Sequence, residues 1–122
     1  MRVLKTIIAA SLLALSANLS AHTGIQSTYP GNEEILEQAP KQLEFTFKGA
    51  VRLMAISLTN TQKKAIKVAF KPSAKAKKSF EVILPNLSLG QYNVKWISMG
   101  KDGHKIKGNF SFMIHELAAL TE

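Results

Sequence analysis

Large apolar side chains alternate with smaller or polar ones over most of the chain from residue 43 onward. A period of two residues is the pattern of a strand with one buried face. The alternating sets are Leu43, Phe45 and Phe47; Met54, Ile56 and Leu58; Ile66, Val68 and Phe70; Phe80, Val82 and Leu84; Tyr92, Val94 and Trp96; and Phe110, Phe112 and Ile114. Each set predicts a strand that turns its large side chains to one face.

Turn-forming residues separate these sets. Proline, glycine and asparagine fall at residues 30–32, 40, 72, 85–86, 90 and 100–108, where they break regular structure. Short strands at this spacing in about 100 residues predict an all-β fold, an immunoglobulin-like antiparallel β-sandwich of Greek-key type with about seven short strands. Only residues 33–38 could form more than one turn of helix.

Two aromatic residues support the sandwich. The segment 87–92 resembles a tyrosine corner, in which Tyr92 would bond back to the connection before its strand. Trp96 lies on the same strand face and would fill the centre of the core. Both residues are therefore assigned structural roles.

The first 21 residues have a pattern of their own. A positively charged start precedes the apolar run 7–15, and small or polar residues follow as far as Ala21, as in a secretory signal peptide. The run is about half of the roughly 20 residues that a membrane anchor needs. We expect cleavage after Ala21, with a cut near Ser16 or Ala17 as the alternative. Residues 22–122 would then form a single domain that is exported.

Composition narrows the function further. The chain has 122 residues, a formal charge of +8 and no cysteine, which excludes a multidomain protein, disulfides and thiolate chemistry. Without residues 1–21, which include Arg2 and Lys5, 101 residues with a charge of +6 remain. The lysines between residues 63 and 78 lack the interleaved aromatics that stack nucleic-acid bases. We therefore expect no nucleic-acid partner, and a solvated edge and loop that discourage strand aggregation.

Few side chains here can do chemistry, and the informative pair is Asp102 and His104. In extended backbone, residues i and i+2 point the same way, so the carboxylate and the imidazole could converge on a metal. An Asp-Gly turn without a metal is the alternative.

His22 would be the first residue after cleavage. Its free α-amine and imidazole Nδ1 could chelate one metal ion, and Asp102 with His104 would complete three nitrogens and one oxygen. This donor set suits the tetragonal preference of Cu(II). A frayed terminal residue is the alternative for His22.

Taken together, these segments resemble the CopC-type periplasmic copper-resistance proteins. The resemblance is carried by His22 at the predicted start, Ser-Thr-Tyr-Pro-Gly at 27–31, Leu-Glu-Phe-Thr-Phe at 43–47, Leu-Gly-Gln-Tyr-Asn-Val-Lys-Trp at 89–96, and the ending at 102–112 that begins Asp-Gly-His. It covers essentially the whole chain after the signal peptide.

The resemblance implies a periplasmic protein that binds one Cu(II) through His22, Asp102 and His104. It would hold copper for resistance, buffering or transfer to a CopD-type inner-membrane partner. We expect a monomer that binds copper and is not an enzyme.

Two departures from the family pattern matter. Members often have a glutamate near the copper at the end of the second strand, where this chain has Lys48. The methionine-rich loop that binds Cu(I) in some members is also absent, since only Met54, Met99 and Met113 remain after cleavage.

Other interpretations stay open. A terminal histidine with a second histidine also builds copper monooxygenase centres, and a metal-free exported interaction domain would fit Lys48. Zinc could replace copper at the same ligands. Met99 could approach the metal axially but is expected to pack in the core or loop, and His115 is expected to be exposed rather than a ligand.

Overall fold

The computed structural model describes residues 24–116, and every regular element within that range is a strand. The strands are β1 (Ile25–Tyr29), β2 (Glu34–Leu36), β3 (Gln42–Thr59), β4 (Ala65–Ile66), β5 (Lys77–Ile83), β6 (Gly90–Met99) and β7 (Lys105–Ile114). The prediction of an all-β sandwich of about seven strands is thus confirmed, although β3 is far longer than expected.

Strand β3 belongs to both layers of the sandwich. Its first half pairs antiparallel with β1 and β5, and its second half pairs antiparallel with β4 and β6. The pairing with β5 is interrupted between Thr46 and Val51, where the chain passes from one layer to the other. β7 then adds to β6, and β2 adds to β7. The seven strands form one hydrogen-bonded sheet that curls at β3 into two facing layers.

The alternation of apolar residues predicts most of the core. Fourteen hydrophobic side chains are buried: Leu43, Phe45, Phe47, Leu53, Leu58, Phe80, Val82, Leu84, Tyr92, Val94, Trp96, Phe110, Phe112 and Ile114. Aromatic rings connect the layers, since Phe45 and Phe47 of β3 both contact Trp96 of β6 edge to face, at centroid distances of 6.4 and 5.3 Å. Offset and edge-to-face aromatic pairs add to the stabilisation from burial.

Within β3 the alternation changes phase. Leu53 is fully buried, whereas Met54 is only half-buried, so the prediction that Met54 faces the core with Ile56 and Leu58 is wrong. The register of β3 against β6 shifts between Leu53 and Ala55. A bulge inserts one unpaired residue and reverses the face on which the next residues lie. Nothing in the types of Leu53, Met54 and Ala55 indicates this bulge.

Two other segments differ from expectation. Residues 33–38 contain β2, which pairs parallel with β7, instead of a helical turn; β2 is the one parallel strand among the described residues. The predicted strand through Ile66, Val68 and Phe70 ends at Ile66, although Val68 and Phe70 still pack against the core. The chain rejoins β3 only at Ser73, whose amide donates to the Leu53 carbonyl.

The tyrosine corner is present. The hydroxyl of Tyr92 donates to the carbonyl oxygen of Ser88 at 2.7 Å, and the Tyr92 ring stacks on Phe112. This bond fastens the connection before β6 to the start of that strand.

Trp96 depends on a glycine opposite it. Gly108 of β7 is the register partner of Trp96, and a Cβ atom on Gly108 would lie 2.2 Å from the indole ring. The ring lies between the β7 backbone and the phenylalanines of β3. A side chain at position 108 would therefore overpack the centre of the core.

We predict that Gly108→Ala lowers the free energy of unfolding by about 2 kcal/mol, because the indole ring and the β7 backbone must separate. Gly49→Ala is the matched control, since no atom lies within 4 Å of a Cβ built there. Urea denaturation measures both variants. Equal midpoints for the two variants would contradict this account of Trp96 packing.

Candidate metal centre

The loop from Gly100 to His104 joins β6 to β7 and holds the predicted ligand pair. The strands pair as far as Met99 and Lys105. The Gly100 amide then donates to the His104 carbonyl, and the Gly103 amide donates to the Gly100 carbonyl, both at 3.0 Å. Gly103 has a φ of 84°, in the left-handed region that glycine adopts without strain. The loop is a tight hairpin connection anchored on two long strands.

Asp102 and His104 meet in this loop, but they meet across an Asp-Gly turn and not along the extended backbone from which their convergence was predicted. The His104 backbone amide donates to Asp102 Oδ1 at 3.1 Å, and His104 Nδ1 lies 2.9 Å from Asp102 Oδ2. The side chain of Asp102 is 65% exposed and that of His104 is 84% exposed, so an ion from solvent can reach them. The hydrogen bond from the His104 backbone amide is the main reason why the pKa of Asp102 is lowered from its ordinary value, because this bond stabilises the carboxylate. Asp102 is therefore ionised at neutral pH and available as an anionic donor.

The third predicted ligand, His22, lies outside the described residues, but the chain that follows it is well placed. Gly24 accepts a hydrogen bond from the Lys48 amide at 2.9 Å. A Cβ atom on Gly24 would lie 3.5 Å from Ile106 Cδ1, and Ile106 is two residues from His104 on the same chain. The described chain thus begins beside the root of the Gly100–His104 loop.

Lys48 lies at the same end of the molecule. It follows the last buried residue of the first half of β3, Phe47, and its side chain is exposed. Since its amide binds Gly24, it neighbours the point where the described chain begins. Lys48 is therefore joined through Gly24 to the part of β7 that follows the Gly100–His104 loop.

Met99 and His115 have other surroundings. Arg52 Nη2 of β3 donates a hydrogen bond to Met99 Sδ at 3.0 Å. Arg52 therefore lies beside the loop, although the sequence had not indicated it as a residue of this region. His115 follows the far end of β7, whose ten residues separate it by about 30 Å from the Asp102 loop. It is half-buried and not fully exposed, and it takes no part in the candidate centre.

Among residues 24–116, no group of three histidine, aspartate or glutamate side chains is arranged to hold a metal ion. The described residues bring one pair of possible donors together in this loop, Asp102 and His104. No helix of the described part is long and apolar enough to cross a membrane.

Comparison with known proteins identifies the family. The family model described as "CopC domain" matches residues 25–115, which is most of the chain. The protein therefore belongs to the CopC family, as the sequence resemblance predicted. A comparison with curated protein sequences finds no significant match.

Solved structures agree with the fold. The crystal structure of CopC from Methylosinus trichosporium OB3b is similar with a TM-score of 0.64 at 22% identity, covering 76% of this chain and 93% of that one. PcoC, a methionine-rich copper resistance protein from Escherichia coli, gives a TM-score of 0.63 at 25% identity, covering 78% of this chain and 100% of that one. The sandwich described above is the fold of these proteins.

We predict that His104→Ala leaves the pKa of Asp102 below its ordinary value, because the hydrogen bond from the backbone amide, which is the largest cause of the shift, remains. His104→Pro removes that N–H group and should raise the pKa of Asp102 towards its ordinary value. A carboxyl-detected NMR titration measures both. Equal pKa values in the two variants would show that the imidazole, and not the amide, controls the carboxylate.

Proposed function

We propose that this protein binds one Cu(II) ion outside the cytoplasm, through His22, Asp102 and His104, and holds it for resistance, buffering or transfer to a membrane partner. The observation that carries the proposal is the pairing of Asp102 with His104 in a loop beside Gly24. Membership of the CopC family and the likeness to a copper resistance protein support copper as the ion. The proposed role is binding without catalysis.

The spacing of the two described donors suits a metal ion. Adjacent corners of a square of ligands, each about 2.0 Å from the metal, are about 2.8 Å apart. The 2.9 Å between His104 Nδ1 and Asp102 Oδ2 is close to this separation. An ion that binds both atoms lies off the line that joins them, so the imidazole would keep its distance from the carboxylate but turn to direct Nδ1 at the ion.

The reach of the chain supports His22 as the remaining ligand. Two residues of extended backbone span about 7 Å. A Cβ atom built on Gly24 would contact Ile106, which is two residues beyond His104. A cleavage after Ala21 would make His22 the terminal residue, so that it could offer both its amine and its imidazole.

The donor chemistry favours Cu(II) over Cu(I). The proposed set has three nitrogens and one oxygen, whereas Cu(I) selects thiolate and thioether ligands. The chain has no cysteine, and the thioether nearest in sequence, Met99, accepts a hydrogen bond from Arg52. Cu(II) also binds more tightly than Zn(II) to a given site of this kind, so copper should displace zinc from it.

The terminal amine of His22 provides one test of the proposed function. The exported protein should bind about one equivalent of Cu(II), with the tetragonal spectrum of a nitrogen-rich site. A variant that keeps one extra residue before His22 loses the amine and the chelate ring, and we expect Cu(II) affinity to fall at least a hundredfold. Isothermal titration calorimetry and electron paramagnetic resonance measure both proteins.

Mass spectrometry of the exported product must first show that it begins at His22. Tight, nitrogen-rich binding by the extended variant would overturn the terminal-amine model. Absence of Cu(II) binding by the correctly processed protein would overturn the proposed function and favour a metal-free interaction domain. Stronger binding of Zn(II) than of Cu(II) would replace the metal but keep the site.

The second prediction concerns Lys48. Lys48→Glu replaces a cation by an anion beside Gly24, so Cu(II) affinity should rise roughly tenfold at low salt and less at high salt. Lys41→Glu is the matched control, because this exposed lysine lies seven residues away along extended chain, about 23 Å and well beyond the screening length. The same affinity change in both variants would indicate that only total charge matters.

A further inference from the structure

Three strands of the second layer carry only positive charge on the outward face. The edge strand β2 of this layer has the exposed Glu34, but its register partner Phe112 is buried, so Glu34 lies on the other face of the sheet. The three strands are β3 from Arg52 to Thr59, β6 and β7, and these segments contain no aspartate or glutamate. Their charged residues are Arg52, Lys95, Lys105 and Lys107. The three lysines are exposed, and Arg52 is half-buried. We call this surface the basic sheet face.

The strand register places these four cations around Ile97. Cross-strand rows run Arg52, Met99 and Lys105, then Ala55, Ile97 and Lys107, then Ser57, Lys95 and Asn109. Rows on one face of a sheet are about 6.8 Å apart, and strands are about 4.8 Å apart. Four cations therefore lie within an area about 10 Å wide and 14 Å long, separated by small or half-buried side chains.

The other layer is different. On its outward face Glu44 of β3 and Glu81 of β5 are exposed register partners, so carboxylates offset the lysines of β5. The two faces of the molecule are electrically unequal, and the basic sheet face is the one that attracts an extended negative surface.

We propose that the basic sheet face adsorbs onto an anionic phospholipid bilayer. Protein interfaces are enriched in aromatic residues and depleted in lysine. Here three of the four cations are lysines, while the aromatic residues of β6 and β7, Tyr92, Trp96, Phe110 and Phe112, are all buried in the core. A lysine-rich surface without an exposed aromatic anchor suits the diffuse negative charge of lipid headgroups.

Adsorption would orient the candidate metal loop. The first row of the basic sheet face, Arg52, Met99 and Lys105, directly adjoins the loop from Gly100 to His104. The adsorbed protein therefore holds this loop at the margin of the contact, close to the membrane plane. That consequence for copper transfer depends on the proposed function, whereas the adsorption itself does not require copper.

Binding is measured with the exported protein kept metal-free by a chelator. Co-sedimentation uses vesicles of phosphatidylcholine and phosphatidylglycerol in a ratio of roughly two to one, and vesicles of phosphatidylcholine alone. Each cation near such a surface contributes about a fivefold factor in partitioning. The variant Lys95→Gln/Lys105→Gln/Lys107→Gln should therefore bind the anionic vesicles roughly a hundredfold more weakly, and the wild type should not bind neutral vesicles.

The matched control is Lys71→Gln/Lys75→Gln/Lys78→Gln, which removes the same charge from exposed positions elsewhere. It should retain binding within about fivefold, because these lysines belong to β5 and to the chain before it and not to the basic sheet face, so they lie farther from the headgroups. Equal losses in the two triple variants would overturn the proposal in favour of net charge. Failure to bind anionic vesicles, together with binding to polyglutamate, would also overturn it and indicate an acidic protein partner.

The orientation of the bound protein on the vesicle can be measured independently. Because the chain has no cysteine, a single introduced cysteine can be labelled specifically. Ser57→Cys places a fluorophore on the basic sheet face, and Ser79→Cys places one on the exposed side of β5. Quenchers in the anionic vesicles should quench the label at position 57 several times more strongly than the label at position 79. Equal quenching would contradict the assignment of the face. Copper binding is titrated separately without vesicles, so failure of either proposal is distinguishable from failure of the other.

Discussion

The structure depends on one strand that belongs to two layers. β3 is 18 residues long, and its two halves make the backbone hydrogen bonds of different partners. Its passage between the layers near Lys48 brings Phe45 and Phe47 against Trp96. The same passage brings Gly24, bonded to Lys48, beside the start of β7. Core packing and the position of the candidate centre thus follow from a single constraint on the backbone.

The candidate centre combines a rigid support with an open donor pair. Two ten-residue strands, β6 and β7, hold the loop from Gly100 to His104, and Trp96 packing over Gly108 fixes their mutual position. Asp102 and His104 themselves remain exposed. Such a site can exchange an ion with solvent or with a partner, since no buried layer must open. An accessible ion suits a carrier better than an enzyme that excludes water.

Charge is distributed unevenly around this scaffold. One outward face has carboxylates opposite each other, at Glu44 and Glu81, whereas the basic sheet face has none. Lys48 adds a cation at the end of the first half of β3, where its amide bonds to Gly24. In the proposed copper site Asp102 would attract a dipositive ion and Lys48 would repel it, and the basic sheet face would set which surface the site meets.

The fold class and most of the core could be predicted from the sequence, because burial with a period of two residues is a local property of strands. The closeness of Asp102 and His104 was also predicted, but it arises in an Asp-Gly turn and not in extended chain. The bulge at Met54, the parallel strand β2, the end of the strand at Ile66 and the contact of Arg52 with Met99 could not be predicted. Each of these depends on which distant strand lies alongside, and residue types within one strand carry no record of that partner. The closeness of Gly24, Lys48 and Ile106 has the same origin, since it arises where β3 passes between layers.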